Sequence, residues 1–116
     1  MNSVLNVNAT MERIDNDRYR LRELYTIALQ EFPKWRNRLK ESIDSSDLEA
    51  IQKTAHSYKG SSATLGAEVL NEMFLDMEDA AKDGNMDRVR KIFTDSFEKN
   101  MADLESAIQV FLRSKE

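Results

Sequence analysis

The sequence contains one histidine, His56, and the residues that follow it could support nucleophilic group transfer. Lys59 stands three positions later and Gly60 four, so on a helix all three residues occupy neighbouring turns of one side. An imidazole nitrogen can form a covalent intermediate, and a nearby ammonium can hold an oxygen of a phosphoryl group. The spacing therefore indicates phosphoryl chemistry in which a partner supplies the remaining groups.

The side of the helix that carries His56 is expected to face solvent. A helix turns by about 100° per residue, which places His56 beside the apolar stripe and on one outward strip with Gln52, Lys59, Gly60 and Ala63. A glycine inside a helix costs roughly 1 kcal/mol relative to alanine. We interpret Gly60 and Ala63 as a low surface that lets another protein approach the imidazole.

Helix is the only regular element that the sequence supports, because strand-type alternation is absent and the chain has only three glycines and one proline. The first long pattern predicts one helix with a kink or short break near Phe32, since Pro33 removes a backbone hydrogen bond. Ser46 and Glu49 form a capping-box signature for the next helix. The apolar stripes of these two helices are Leu21, Tyr25, Ala28, Phe32, Trp35 and Leu39, and then Leu48, Ile51, Ala55, Tyr58, Ser62 and Leu65.

Two further patterns complete the predicted fold. Gly66 is placed to end or loosen the histidine helix, and the turn at Asp83, Gly84 and Asn85 separates the third helix from the fourth. The stripes are Leu70, Met73, Met77 and Ala80, and then Val89, Phe93, Phe97, Met101, Leu104, Ile108 and Phe111, and we interpret both as core. The prediction is an all-α, antiparallel four-helix bundle with up-down-up-down topology over residues 16–116, which carries positive charge in its last turn from Arg113 to Lys115. Residues 1–15 form either a loose segment or a short extra N-terminal helix, capped by Asn8 or Thr10.

Composition excludes several classes of function. The chain has no cysteine and one histidine, which argues against a structural zinc site. Its formal charge of -4 is mixed along the chain, so a nucleic-acid partner is not expected. No run of about eighteen apolar residues and no targeting segment is visible, which predicts a cytoplasmic protein without a membrane span.

Residues 55–66, read as AHSYKGSSATLG, resemble the signature of the bacterial histidine phosphotransfer (HPt) domain. That signature has a histidine, a lysine and a glycine three and four residues later, small residues, and a closing leucine-glycine pair. Tyr58 departs from it, because the family usually has leucine there. The resemblance extends from about Leu21 to Leu112, and it includes the Phe32-Pro33 pair, Glu78 and the Asp83-Gly84 turn.

The resemblance implies a function in a two-component phosphorelay. His56 would accept a phosphoryl group from an aspartyl-phosphate of a receiver domain and pass it to a second receiver. The partners would be the receiver domains of a hybrid sensor histidine kinase and of a response regulator. The chain would use neither ATP nor a cofactor of its own, and Mg²⁺ would belong to the partner receiver. In relatives a polar group at the position of Glu78 lies against the other ring nitrogen, which would fix the tautomer.

Three other readings of His56 remain open from the sequence. It could be an ordinary surface histidine, or it could belong to the dimerising hairpin of a sensor kinase. Ser57 opposes the kinase reading, since such kinases usually have an acid there, and no glycine-rich ATP-binding segment is present. The chain could also be a helical adaptor in which His56 is dispensable. A carrier with one site on one bundle needs no second subunit, so we expect a monomer.

Overall fold

The computed structural model describes residues 2–114, and within them the regular structure is helical throughout. Met1, Lys115 and Glu116, which the predicted ranges 1–15 and 16–116 include, lie outside the described residues. The helices are α1 (Val7–Arg13), α2 (Arg18–Asp44), α3 (Leu48–Leu65), α4 (Glu68–Lys82), α5 (Met86–Ile92) and α6 (Glu98–Arg113), with a π-helical turn at Phe93–Phe97 joining the last two. The predicted all-α bundle is confirmed, with α5, the π turn and α6 forming its fourth helix.

Neighbouring helices run in opposite directions, as the contacts between their ends show. The hydroxyl of Tyr25, near the start of α2, donates to the carbonyl of Leu65 at the end of α3 over 3.5 Å. At the other end of the bundle, the Arg90 guanidinium of α5 donates to the Ser46 hydroxyl after α2 over 2.7 Å. Short connections of two or three residues impose this antiparallel order on α2, α3, α4 and α5.

The core lies where the apolar periodicity predicted it. Large side chains from all four bundle helices are fully buried, among them Tyr25, Phe32, Ile51, Leu70, Phe74, Met77, Phe97, Met101 and Ile108. Trp35 stacks on Tyr58 with ring centroids 4.4 Å apart, and both rings contact Phe74 edge-on. The larger ring at position 58 therefore packs inside the bundle and leaves the outward strip of α3 unchanged.

α2 is continuous through Pro33, so the short break that the sequence allowed near Phe32 does not occur. Two predictions of helix caps were wrong. Asp47, not Ser46, caps α3, because its carboxylate accepts from the backbone N–H of Ala50 over 3.1 Å. Ser46 has a φ of 52° and belongs to the left-handed turn that ends α2. The cap of α1 is Asn6, whose side chain accepts from the Ala9 N–H over 3.1 Å, not Asn8 or Thr10.

The segment before α2 packs against the turn between α3 and α4. The backbone N–H of Asn6 donates to the carbonyl of Gly66 over 2.7 Å, and the Ser3 N–H donates to the Glu68 carboxylate over 2.9 Å. From α1, the Arg13 guanidinium donates to the Ala63 carbonyl over 2.9 Å. These bonds hold the C-terminal end of α3, the helix that carries His56. No helix among residues 2–114 is long and apolar enough to cross a membrane.

Candidate functional site

His56 lies on the solvent side of α3, halfway along the bundle. Its side chain is 68% exposed, while Ala55 beside it is fully buried in the core. Gly60 and Ala63 are also exposed, and Gln52 is half-buried at the edge of the same strip. The helix therefore presents the imidazole to solvent on a surface that is low on its C-terminal side.

The Glu78 carboxylate, on α4, joins the two functional candidates of α3. Its Oε2 lies 2.8 Å from His56 Nδ1, and its Oε1 accepts from Lys59 Nζ, also over 2.8 Å. The Glu78 side chain is only 5% exposed, although it is charged and stands on the edge of the core. A buried carboxylate is stable only when its oxygens are hydrogen-bonded, and here each oxygen has one such partner.

The charge state of Glu78 determines the tautomer of His56. The hydrogen bond from Lys59 holds the pKa of the Glu78 carboxyl below its ordinary value of 4.5, although burial acts in the opposite direction. An ionised carboxylate can only accept, so Nδ1 must carry the proton and donate it to Oε2. In the neutral ring this leaves Nε2 with its lone pair, and Nε2 is the nitrogen that is free to act as a nucleophile.

Lys59 has a partner within the site. Its ammonium is bound to Glu78, and its side chain is 26% exposed. A second ammonium, that of Lys82, lies 3.7 Å from Glu78 Oε2 and is 52% exposed. The site therefore combines one buried carboxylate with the imidazole and two ammonium groups, all three of which contact that carboxylate.

Gly60 leaves open space at the surface. Apart from the adjoining residues and the backbone of α3 itself, a Cβ atom added to this residue would meet no atom within 4 Å. Packing against the described residues therefore does not require glycine here. This agrees with the interpretation that a partner approaches the helix at Gly60.

The sequence did not identify Asn71 of α4 as part of the site. Its side-chain Nδ2 donates to the backbone carbonyl of Lys59 over 2.8 Å. Asn71 precedes Glu78 by seven residues, which is two helical turns, so both side chains leave the same face of α4 towards α3. That heptad spacing was the only available signal, and it does not by itself point to a functional site.

Removing the charge of Glu78 is expected to lower stability in a pH-dependent way. Because the pKa of Glu78 is lowered in the folded chain, its stabilising effect is present above 4.5, the ordinary value, and is lost as the pH falls through the lower folded value. The free energy of unfolding of Glu78→Gln should therefore lie below that of the parent at neutral pH, and the gap should close in acid. Denaturant titrations across this range measure it.

Glu72→Gln is the matched control for this comparison, since it removes an exposed carboxylate from the same helix. Its difference from the parent should be smaller and should change less with pH. A gap for Glu78→Gln that stays constant, or widens, below pH 4.5 would show that the ionised carboxylate is not what stabilises this site.

Comparison with known proteins gives one match. A family model described as Hpt domain matches residues 23–113, which is most of the chain and includes all the residues of the site. No curated protein and no solved structure matches the chain significantly.

Proposed function

Because the chain belongs to the Hpt domain family, whose function is histidine phosphotransfer in phosphorelays, we propose that His56 is the residue that carries the phosphoryl group. His56 is the only histidine in the sequence, so no other histidine of this sequence can carry the phosphoryl group. The observation that supports the proposal most strongly is the pairing of Nδ1 with Glu78, which in the neutral ring leaves the lone pair on Nε2, in a side chain that is 68% exposed.

The transfer step follows from this arrangement. The lone pair of Nε2 attacks the phosphorus of a receiver's aspartyl-phosphate, a bond forms between nitrogen and phosphorus, and the bond from phosphorus to the aspartate oxygen breaks. The aspartate leaves as a carboxylate, and no proton has to leave the ring because Nδ1 keeps its hydrogen. The phosphorylated ring is cationic, and the Glu78 carboxylate against Nδ1 stabilises that charge. Attack by the aspartate of a second receiver reverses these steps.

The ammonium groups are placed to assist the same step. Charge develops on the three outer oxygens of the transferring group, and a nearby cation lowers the barrier. Lys59 reaches the site from α3 and Lys82 from α4, and both contact Glu78. We propose that Lys59 stabilises the phosphoryl oxygens, and that Gln52, Gly60 and Ala63 belong to the surface on which the receiver docks.

The family predicts receiver domains as partners, and we propose that the donor belongs to a hybrid sensor histidine kinase and the acceptor to a response regulator. The chain acts as a phosphocarrier without kinase activity, needs no cofactor of its own, and relies on Mg²⁺ bound by the receiver. We further propose that it is cytoplasmic and monomeric.

Transfer of label from a phosphorylated receiver tests the function directly. The purified chain should take up ³²P from a receiver that carries a labelled aspartyl-phosphate, and the label should be lost in acid but survive base, as expected for a phosphoramidate. It should gain no label from ATP alone. Labelling from ATP without a receiver would instead support the sensor-kinase hypothesis, and no labelling under either condition would overturn the carrier proposal.

Substitutions of Gly60 should separate folding from docking. Gly60→Ala removes a helix-destabilising residue without a clash, so it should raise the free energy of unfolding by roughly 0.5–1 kcal/mol. Gly60→Arg should fold but weaken receiver binding by about tenfold or more, because a long side chain covers the approach to the imidazole. Denaturant titration and receiver-binding isotherms measure the two effects.

An arginine on the far side of the bundle is the control for Gly60→Arg. Ser106 is exposed on α6, which packs against α2 and α4, so Ser106→Arg should leave receiver affinity unchanged. Equal affinity of Gly60→Arg and the parent would show that the receiver docks elsewhere.

A further inference from the structure

Residue 59 is bound to α4 at two separate points. Its ammonium donates to Glu78, and its backbone carbonyl accepts from the side-chain amide of Asn71, each over 2.8 Å. A helical carbonyl has two lone pairs, so it can accept the Asn71 amide and still accept the N–H that closes the helical turn. Asn71 is half-buried and joins the two helices at Lys59, three residues after His56.

The Asn71 side chain binds the peptide group that links Lys59 to Gly60, because the carbonyl of Lys59 belongs to that group. Glycine has more conformational freedom than any other residue, so this peptide is the point at which α3 is intrinsically most easily distorted. Gly60 makes no side-chain contact that could restrain it, because it lies on an open surface.

We propose that Asn71 is a positioning residue, which holds the peptide between Lys59 and Gly60. This restraint allows α3 to have a glycine in the surface on which a partner docks while the residues of the site keep their positions. The proposal rests on the proposed function of His56. The Asn71 bond restrains the backbone from which the Lys59 side chain projects, and it thereby keeps the ammonium within reach of Glu78 and of the transferring group. Asn71 itself does not touch the reacting atoms.

Removal of the Asn71 amide should slow phosphoryl transfer and leave docking intact. In Asn71→Ala and in Asn71→Leu, which keeps the volume without the donor, the transfer rate constant at saturating receiver should fall by roughly two- to tenfold, the range expected for one hydrogen bond. The receiver concentration at half-saturation should stay the same. Asn37→Ala, which truncates an exposed asparagine of α2, should change neither value.

Amide hydrogen exchange provides a readout that does not depend on phosphoryl transfer. In Asn71→Ala, exchange at Gly60 and Ala63 should accelerate relative to the global opening rate, because the peptide between residues 59 and 60 has lost its restraint. The acceleration should be smaller when the same substitution is made in a Gly60→Ala background, since alanine restrains the backbone by itself. The effect of Asn71→Ala on exchange should depend on the residue at position 60 only if Asn71 restrains the peptide before that residue.

The outcomes distinguish this inference from the function on which it rests. If the parent chain transfers label but the variants match it in rate and in exchange, Asn71 has no positioning role. If Asn71→Ala accelerates exchange equally in both backgrounds, the bond is merely structural and the inference fails. If the parent chain accepts no label, the proposed function fails, while the exchange experiment still decides whether Asn71 restrains the helix at Gly60.

Discussion

The His56→Gln variant is expected to fold normally and to accept no phosphoryl group from a labelled receiver. Glutamine has no nucleophilic nitrogen, so the covalent intermediate cannot form. The His56 side chain is largely exposed, and its hydrogen bond in the described structure is the one to Glu78, which a glutamine amide can also make. The free energy of unfolding should therefore remain within about 0.5 kcal/mol of the parent. Label incorporation and denaturant titration measure the two quantities.

Lys53→Gln supplies the control for His56→Gln. Lys53 lies one turn before His56 on α3, and its side chain is exposed and pairs with Glu49 on the same helix. Its replacement should leave both labelling and stability close to those of the parent, since exposed ion pairs contribute little. Labelling of His56→Gln at the rate of the parent would place the acceptor on another residue.

The Gly66→Ala variant should lose more stability than any other glycine substitution in the chain. Gly66 ends α3 with a φ of 78°, a conformation that alanine adopts only with strain. An added Cβ would also lie 2.6 Å from both the Asn6 carbonyl oxygen and the Thr10 hydroxyl oxygen. Strain and overlap together should lower the free energy of unfolding by about 2–4 kcal/mol, measured by denaturant titration.

Gly84→Ala separates the two contributions. Gly84 also has a positive φ, of 70°, but a Cβ there would meet nothing within 4 Å. Its replacement should lower the free energy of unfolding only through backbone strain, by about 1–2 kcal/mol. Equal losses at Gly66 and Gly84 would show that the segment before α2 does not pack closely on the end of α3.

Apolar periodicity was sufficient to predict the bundle and its core. The stripes from Leu21 to Leu39 and from Ile51 to Leu65 are buried along their length, because apolar residues that recur with a 3.6-residue period lie on one face of a helix and that face packs on the core. A helix end at Gly66 and a turn at Gly84 were also expected from the sequence, and both glycines have a positive φ, which glycine adopts without strain.

Features that depend on a choice between similar neighbours were not predictable. Ser46 and Asp47 are both good N-cap residues, and the structure uses Asp47 because Ser46 is needed in the turn that ends α2. The π-helical turn at Phe93–Phe97 keeps an apolar stripe that a regular helix would carry equally well, so no sequence signal distinguishes it.

The candidate site was predictable only within one helix. Helical geometry predicts that His56, Lys59 and Gly60 lie on one side of α3. The resemblance to a known family added Glu78 to the predicted site. That Lys59 would bind Glu78, and that Asn71 would bind the Lys59 backbone, depends on how α4 is placed against α3. Contacts between helices arise from side-chain packing across the whole interface, which periodicity in a single helix does not specify.

Nitrogen-15 NMR of the His56 ring, recorded before and after phosphorylation by a receiver, tests the central claim most directly. We expect the neutral ring to carry its proton on Nδ1, and the phosphorylated ring to show its coupling to phosphorus at Nε2 while Nδ1 stays protonated. A ring protonated on Nε2, or a phosphorus bonded to Nδ1, would contradict the proposed part of Glu78 in directing the group to the exposed nitrogen.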